Sequence, residues 1–258
     1  MATAKKPAGK PGTAVAPRKT TAVSTPIDYS DVDGGMGNAD RDSYMIPFLQ
    51  ILQKLSPQLD KGHQAYIKGA EAGMILNTAT NEVYSGEEGI LVLPTSFKRS
   101  YTLWAIREKG GGFKGEVPVE SDILSQTARD DRGRNIMPDG VTQVVDTRVH
   151  AVVMIEEDGT PTPAFISMTS TQIKKSRRWM TAMQQQQNED HLPTCAHVWK
   201  LTTVDERNDK GSWSGWHIEP VGINEDSGTA SAAVNFARAI RSGAQKIRTD
   251  APQYDEET

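Results

Sequence analysis

The chain has 258 residues, 36% hydrophobic and 24% charged, with a formal net charge of -4 and a single cysteine, Cys195. That length suffices for one sizeable core, while a lone cysteine excludes an intramolecular disulfide and a cysteine-based zinc centre. No apolar run approaches the ~18 residues of a membrane span, and the N-terminus lacks the apolar region of a signal peptide, so the expected location is the cytoplasm.

Residues 1–25, MATAKKPAGKPGTAVAPRKTTAVST, hold Lys5, Lys6, Lys10, Arg18 and Lys19 and no acid. Their Ala, Pro and Thr background buries too little to fold, so residues 1–42 read as a disordered basic arm and linker. In YMIPFLQILQKLSPQL, Ile46, Leu49, Leu52 and Leu55 recur at helical spacing, with Pro47 suited to a first turn and Pro57 to an end. This predicts a short packing helix. Short apolar runs divided by Asn, Gly and Thr in GAEAGMILNTATNEVYSGEEGILVLPTSF predict strand, turn, strand.

Residues 90–107 predict a strand with Phe97, Arg99, Tyr101 and Leu103 on one face and Lys98, Trp104 and Ile106 on the other. The glycines of EKGGGFKGEVPVE break it, as at a flexible hairpin tip, and SDILSQTARDDRGRNIMPDG reads as a long loop. VTQVVDTRVHAVVMIEEDGTPTPAFISMT predicts a hairpin turning at Asp158-Gly159. TSTQIKKSRRWMTAMQQQQ then predicts a helix, with Thr169 and Gln172 in capping-box spacing and Ile173, Met180 and Met183 along its inner side. Two more strands follow in CAHVWKLTTVDERNDKGSWSGWHIEPVGI. Ala233, Phe236, Ala237 and Ile240 mark a terminal helix that breaks at Gly243. Residues 249–258, with Asp250, Asp255, Glu256 and Glu257, read as a disordered acidic tail.

The order of elements predicts a mainly β fold with flanking helices, in which residues 43–248 form an OB-fold-like five-stranded Greek-key barrel with its helix between strands 3 and 4. Such a barrel followed by APQYDEET resembles the single-stranded DNA-binding proteins of tailed bacteriophages. The resemblance covers roughly residues 73–258. It implies a tail that recruits replication partners and competes with DNA for a basic groove. YMIPFLQILQKLSPQL with GAEAGMILNTATNEVYSGEEGILVLP is also similar to phage proteins that mostly lack an assigned role.

Binding single strands without sequence preference calls for cations that follow the phosphates and flat side chains that stack on bases, each stack contributing about 1 to 3 kcal/mol. Both ingredients coincide in FKRSYTLWAIREKGGGFKG, with Lys98, Arg99, Arg107, Lys109 and Lys114 among Phe97, Tyr101, Trp104 and Phe113. They coincide again where Lys174, Lys175, Arg177 and Arg178 precede Trp179, and around Trp199, Lys200, Trp213 and Trp216. Tryptophans in β-proteins are usually core. Here Trp104, Trp213 and Trp216, with their polar or small neighbours, are the better candidates for exposure, and a connector helix at the barrel end favours burial of Trp179. Lysines and arginines at i and i+4, as in Lys174 and Arg178, repel on an isolated helix, and an anionic ligand would relieve that.

Enzyme chemistry finds less support. GGGFKG lacks the spacing of a phosphate-binding loop. His191, Cys195 and His197 lack the four-ligand pattern of structural zinc, and Glu156, Glu157 and Asp158 fall on a predicted turn. No enzyme activity and no cofactor is expected. The expected partners are single-stranded DNA and, through the tail, replication or recombination proteins; no membrane partner is expected, and a homodimer is allowed for. The competing expectation is a virion structural or assembly protein that ignores nucleic acid.

Overall fold

A computed structural model describes residues 44–209 and 211–251. The basic arm, residues 1–42, lies outside them. A small sheet is made by β1 (Leu49–Ile51), β2 (Ile75–Asn77) and β3 (Val83–Tyr84). The main sheet has eight strands: β4 (Ile90–Ala105), β5 (Phe113–Val117), β6 (Ala128–Arg129), β7 (Asn135–Ile136), β8 (Thr142–Ile155), β9 (Pro161–Met168), β10 (His197–Asn208) and β11 (Gly211–Ile223). The helices are α1 (Ile173–Asp190), between β9 and β10, and α2 (Ser227–Arg241). The fold is thus mainly β, a curled antiparallel half-barrel with two helices.

The expected count of five strands is corrected to eight. The five long strands lie in the order β11-β10-β4-β8-β9, with α1 connecting β9 to β10. The three additional strands come from the stretches read as a hairpin tip and a long loop. There Phe113 to Val117 turns back onto β4, and β6 and β7 form a short hairpin beside β8.

β4 and β8 pair from Leu91↔Ile155 to Ala105↔Thr142 and form the spine of the sheet. Alternation along it separates two cores. Val92, Val152 and Met154 face inward with Ile166, Trp179, Trp199, Leu201 and Trp216. Leu93, Val149, Ala151 and Val153 face outward, where Ala233 and Phe236 of α2 cover them.

The predicted helix over Ile46, Leu49, Leu52 and Leu55 is a strand instead. Phe48 enters the outer core while Leu49 and Ile51 enter the inner one, and Leu55 is exposed. A strand buried on both faces reads as a continuous apolar run, which periodicity cannot tell from a helix. This segment lies where β9 and β11 would otherwise present open edges. The Phe165 N–H of β9 donates to the Pro47 carbonyl at 2.8 Å, and Phe48 and Phe165 form a parallel bridge. On the other side the Gln53 amide reads both outward backbone groups of Ser214 in β11: Nε2 donates to its carbonyl at 2.9 Å and Oε1 accepts from its N–H at 3.0 Å. Two residues on, the Trp216 N–H donates to Gln172 Oε1 at 3.0 Å.

The segment after β1 is held as tightly. Thr203 of β10 donates its N–H to Gly86 O at 2.8 Å and its hydroxyl to Gly73 O at 2.7 Å. A side chain at Gly86 would start 2.0 Å from that Gly73 oxygen, so only glycine allows the approach. Gln53→Ala leaves the outward groups of Ser214 without their partner in a buried strand. It is expected to lower stability by about 1 to 3 kcal/mol in urea unfolding.

Candidate nucleic-acid interface

The inner face of the spine changes character along its length. Beyond the apolar stretch next to α1 it carries His150, Arg148 and Asp146 on β8, across from Phe97, Arg99 and Tyr101 on β4. Arg99 grips Asp146 bidentately, Nε to Oδ1 at 2.9 Å and a terminal nitrogen to Oδ2 at 2.8 Å, and the carboxylate holds the guanidinium above its ordinary pKa. Arg148 is Arg99's direct cross-strand partner. It is 7% exposed, and its Nε lies 3.8 Å from Asp146 Oδ1, beyond hydrogen-bonding distance. Burial lowers the pKa of Arg148; Asp146 opposes this, and the nearby Arg99 and Arg177 add to it. His150 is stacked on Trp179 with ring centroids 4.5 Å apart and shares a 2.9 Å hydrogen bond with Ser176 of α1.

The other face and the β4–β5 hairpin hold a second group. Lys98 pairs with Glu116 at 2.5 Å, and that carboxylate also accepts from Ser100 and Thr249. Trp104 is half-buried, donates its indole N–H to Thr102 Oγ1 at 3.0 Å and meets the exposed Phe113 edge-on, centroids 5.2 Å apart. Lys114 donates to Thr142 Oγ1 at 2.6 Å, and Arg107 and Lys109 are exposed on the turn between the strands.

The third group lies around α1, whose first residue is Ile173. A 3-10 turn over Ser170–Gln172 precedes it, and the Thr169 side chain makes no capping bond. Lys174, Arg177 and Arg178 are exposed and form no ion pair among the described residues. Lys175 is held by Glu206 at 2.8 Å, the same carboxylate that accepts from the Trp213 indole N–H at 2.9 Å. Lys200 is half-buried on β10.

The residues picked from sequence therefore occupy three surfaces rather than one. Trp216, expected to be exposed, is 2% exposed and lies in the inner core, because its alternation on β11 matches that of Trp199 and Leu201 on β10. Trp179 is equally buried, in the inner core that α1 covers, and Tyr101 packs with Ile123 and Val144. These three cannot stack on a base without rearrangement. In the tail, Asp250 is bound bidentately by Arg248 while Thr249 and Ala251 are buried; Asp255, Glu256 and Glu257 lie outside the described residues. Arg148 escaped the sequence reading, although VDTRVHAVV announces it: Asp146, Arg148 and His150 alternate with apolar residues and so share one strand face.

Among the described residues no helix is long and apolar enough to cross a membrane, and no group of acids, histidines and cysteine is arranged to hold a metal. A family model described as Pam3 phage gp34-like protein matches residues 18–246. No curated protein and no solved structure matches the chain.

Burial, with Arg148 adding to it, pushes His150 down from 6.5 to about 3. The unfolded chain takes up this proton near 6.5 and the folded protein does not, so stability is full above that pH and falls as pH drops toward 3. The slope is at most about 1.4 kcal/mol per pH unit. His150→Gln is expected to flatten it in urea unfolding compared at about pH 7 and about pH 5, whatever its effect on stability at neutral pH.

Proposed function

The chain belongs to the Pam3 phage gp34-like protein family, and from that premise we propose that it is a non-sequence-specific single-stranded DNA-binding protein of phage DNA replication or recombination, acting in the host cytoplasm. The observation that carries this reading is the flank of α1, where Lys174, Arg177 and Arg178 stand exposed with no ion pair among the described residues in a chain of net charge -4. Uncompensated like charges on one helix cost stability, and phosphates spaced along a strand would relieve that cost. The long-strand order and the position of α1 support reading the sheet as an OB-type barrel opened at one seam, an architecture whose face and loops bind oligonucleotides.

In this reading the three α1 cations with Lys109 and Lys200 neutralise phosphates, while Lys98, Arg99, Lys114 and Lys175 are first held by their own partners. Half-buried Phe97, Trp104 with Phe113, and Trp213 offer the flat surfaces for stacking. The acidic residues Asp255, Glu256 and Glu257 serve to recruit replication proteins, and Asp250 stays tied to Arg248. The chemistry needed is binding alone, with no catalytic step.

Oligo-dT is expected to quench tryptophan emission, with affinity falling steeply as salt rises. Replacing Lys174, Arg177 and Arg178 together by Gln is expected to weaken binding at low salt at least tenfold and to flatten the salt slope by about two. A full chain that fails to bind oligo-dT at low salt, with or without residues 252–258, overturns the reading and favours a virion structural role.

A further inference from the structure

Among the described residues Asp146 is the only carboxylate paired with the guanidiniums on this part of the inner face, and both its oxygens are already engaged by Arg99. Arg148 sits directly opposite Arg99 in register, is nine-tenths buried, and has a buried Nε with no hydrogen-bond acceptor. Like charges facing each other across a strand pair destabilise it, and a buried guanidinium without a full partner costs several kcal/mol in general. A methionine or leucine would fill the same space without that cost. Ser176 of α1 bonds His150, two residues from Arg148 on the same face of β8, which brings the next residue, Arg177, to this end of the face, where it adds to the positive field at Arg148. The cluster therefore holds three guanidiniums against one carboxylate, and the flat ring of Phe97 lies beside it on β4, 5.0 Å from His150.

We propose that Arg148, with Arg99 and Arg177, forms an anchoring subsite for a phosphate group on the inner face of the curled sheet. The planar fork of a guanidinium matches phosphate oxygens bidentately, which a scattered surface lysine does not. Phosphate supplies the acceptor that Arg148 Nε lacks and offsets the repulsion between Arg148 and Arg99. This rests on the DNA-binding reading for its physiological ligand, a backbone phosphodiester, but the anion chemistry is independent of it.

The test uses the full chain and two probes, pyrophosphate and oligo-dT. At matched ionic strength, pyrophosphate is expected to raise the Tm of the wild type and to leave that of Arg148→Met unchanged, with Arg148→Lys in between. Arg148→Met is expected to bind oligo-dT at least tenfold more weakly. In phosphate-free buffer its Tm is expected to equal or exceed that of the wild type, which a merely structural arginine would not allow. If the variant fails to fold, exposed Arg177→Gln carries the test and must reduce the pyrophosphate shift severalfold. Wild-type oligo-dT affinity and an unaltered pyrophosphate shift in Arg148→Met overturn the subsite while leaving the DNA-binding reading standing. Loss of the pyrophosphate shift in a protein that never bound oligo-dT does the reverse.

Discussion

The structure depends on how the open edges of a curled sheet are satisfied. A half-barrel of five long strands leaves outward N–H and C=O groups on β9 and β11, and in a buried seam each unpaired group costs as much as a lost hydrogen bond. The chain answers with residues 47–53, which pair with β9 through backbone and with β11 through the amide of Gln53. Gln172, one residue before α1, takes the next outward N–H of β11. A primary amide carries a donor and an acceptor side by side, which is what an exposed strand edge requires. Because Gln172 fixes the start of α1, the seam also sets which flank of that helix faces solvent.

That arrangement explains how a chain of net negative charge comes to show concentrated positive surfaces. Several acids are consumed locally: Glu116 by Lys98, Asp146 by Arg99, Glu206 by Lys175, Asp130 by Arg134. Among the described residues, Lys174, Arg177 and Arg178 on the outer flank of α1 form no ion pair, and the inner face sets Arg99 and Arg148 against the one carboxylate of Asp146. Net charge summed over the sequence averages this away; the pairing pattern does not.

Much of the fold was legible because its signals are local. Alternation in residues 90–107 and 142–155, the Asp158-Gly159 turn and the apolar stripe of α2 each specify an element by short-range chemistry, and β4, β8, β9, β10, β11 and both helices lie where those signals place them. β1 was not legible, since FLQIL is apolar on both sides only because two separate cores receive it. Within the site, the exposure of Lys174, Arg177 and Arg178 follows from helical periodicity. The burial of Trp216 and the pairing of Arg99 with Asp146 depend on which strands become neighbours, and that is set by topology. Short polar flanks around Trp216 suggested a wet face; the neighbouring inward positions of β10 decided otherwise.

The seam has a consequence for how the chain reaches its native state on the ribosome. Gln53 and Ser214 are 161 residues apart, and translation proceeds at about 5 to 20 residues per second, so the closing segment emerges roughly 8 to 30 s before the strand edge it must satisfy. During that interval Phe48, Leu49, Ile51 and Leu52, all buried in the finished protein, have incomplete cores, since Trp216 of the inner core and Ala233 and Phe236 of the outer one are still to be made. Contacts of such long range slow folding. The step that closes the seam therefore comes late, and β1, made before every other strand of the described residues, is among the last to be secured.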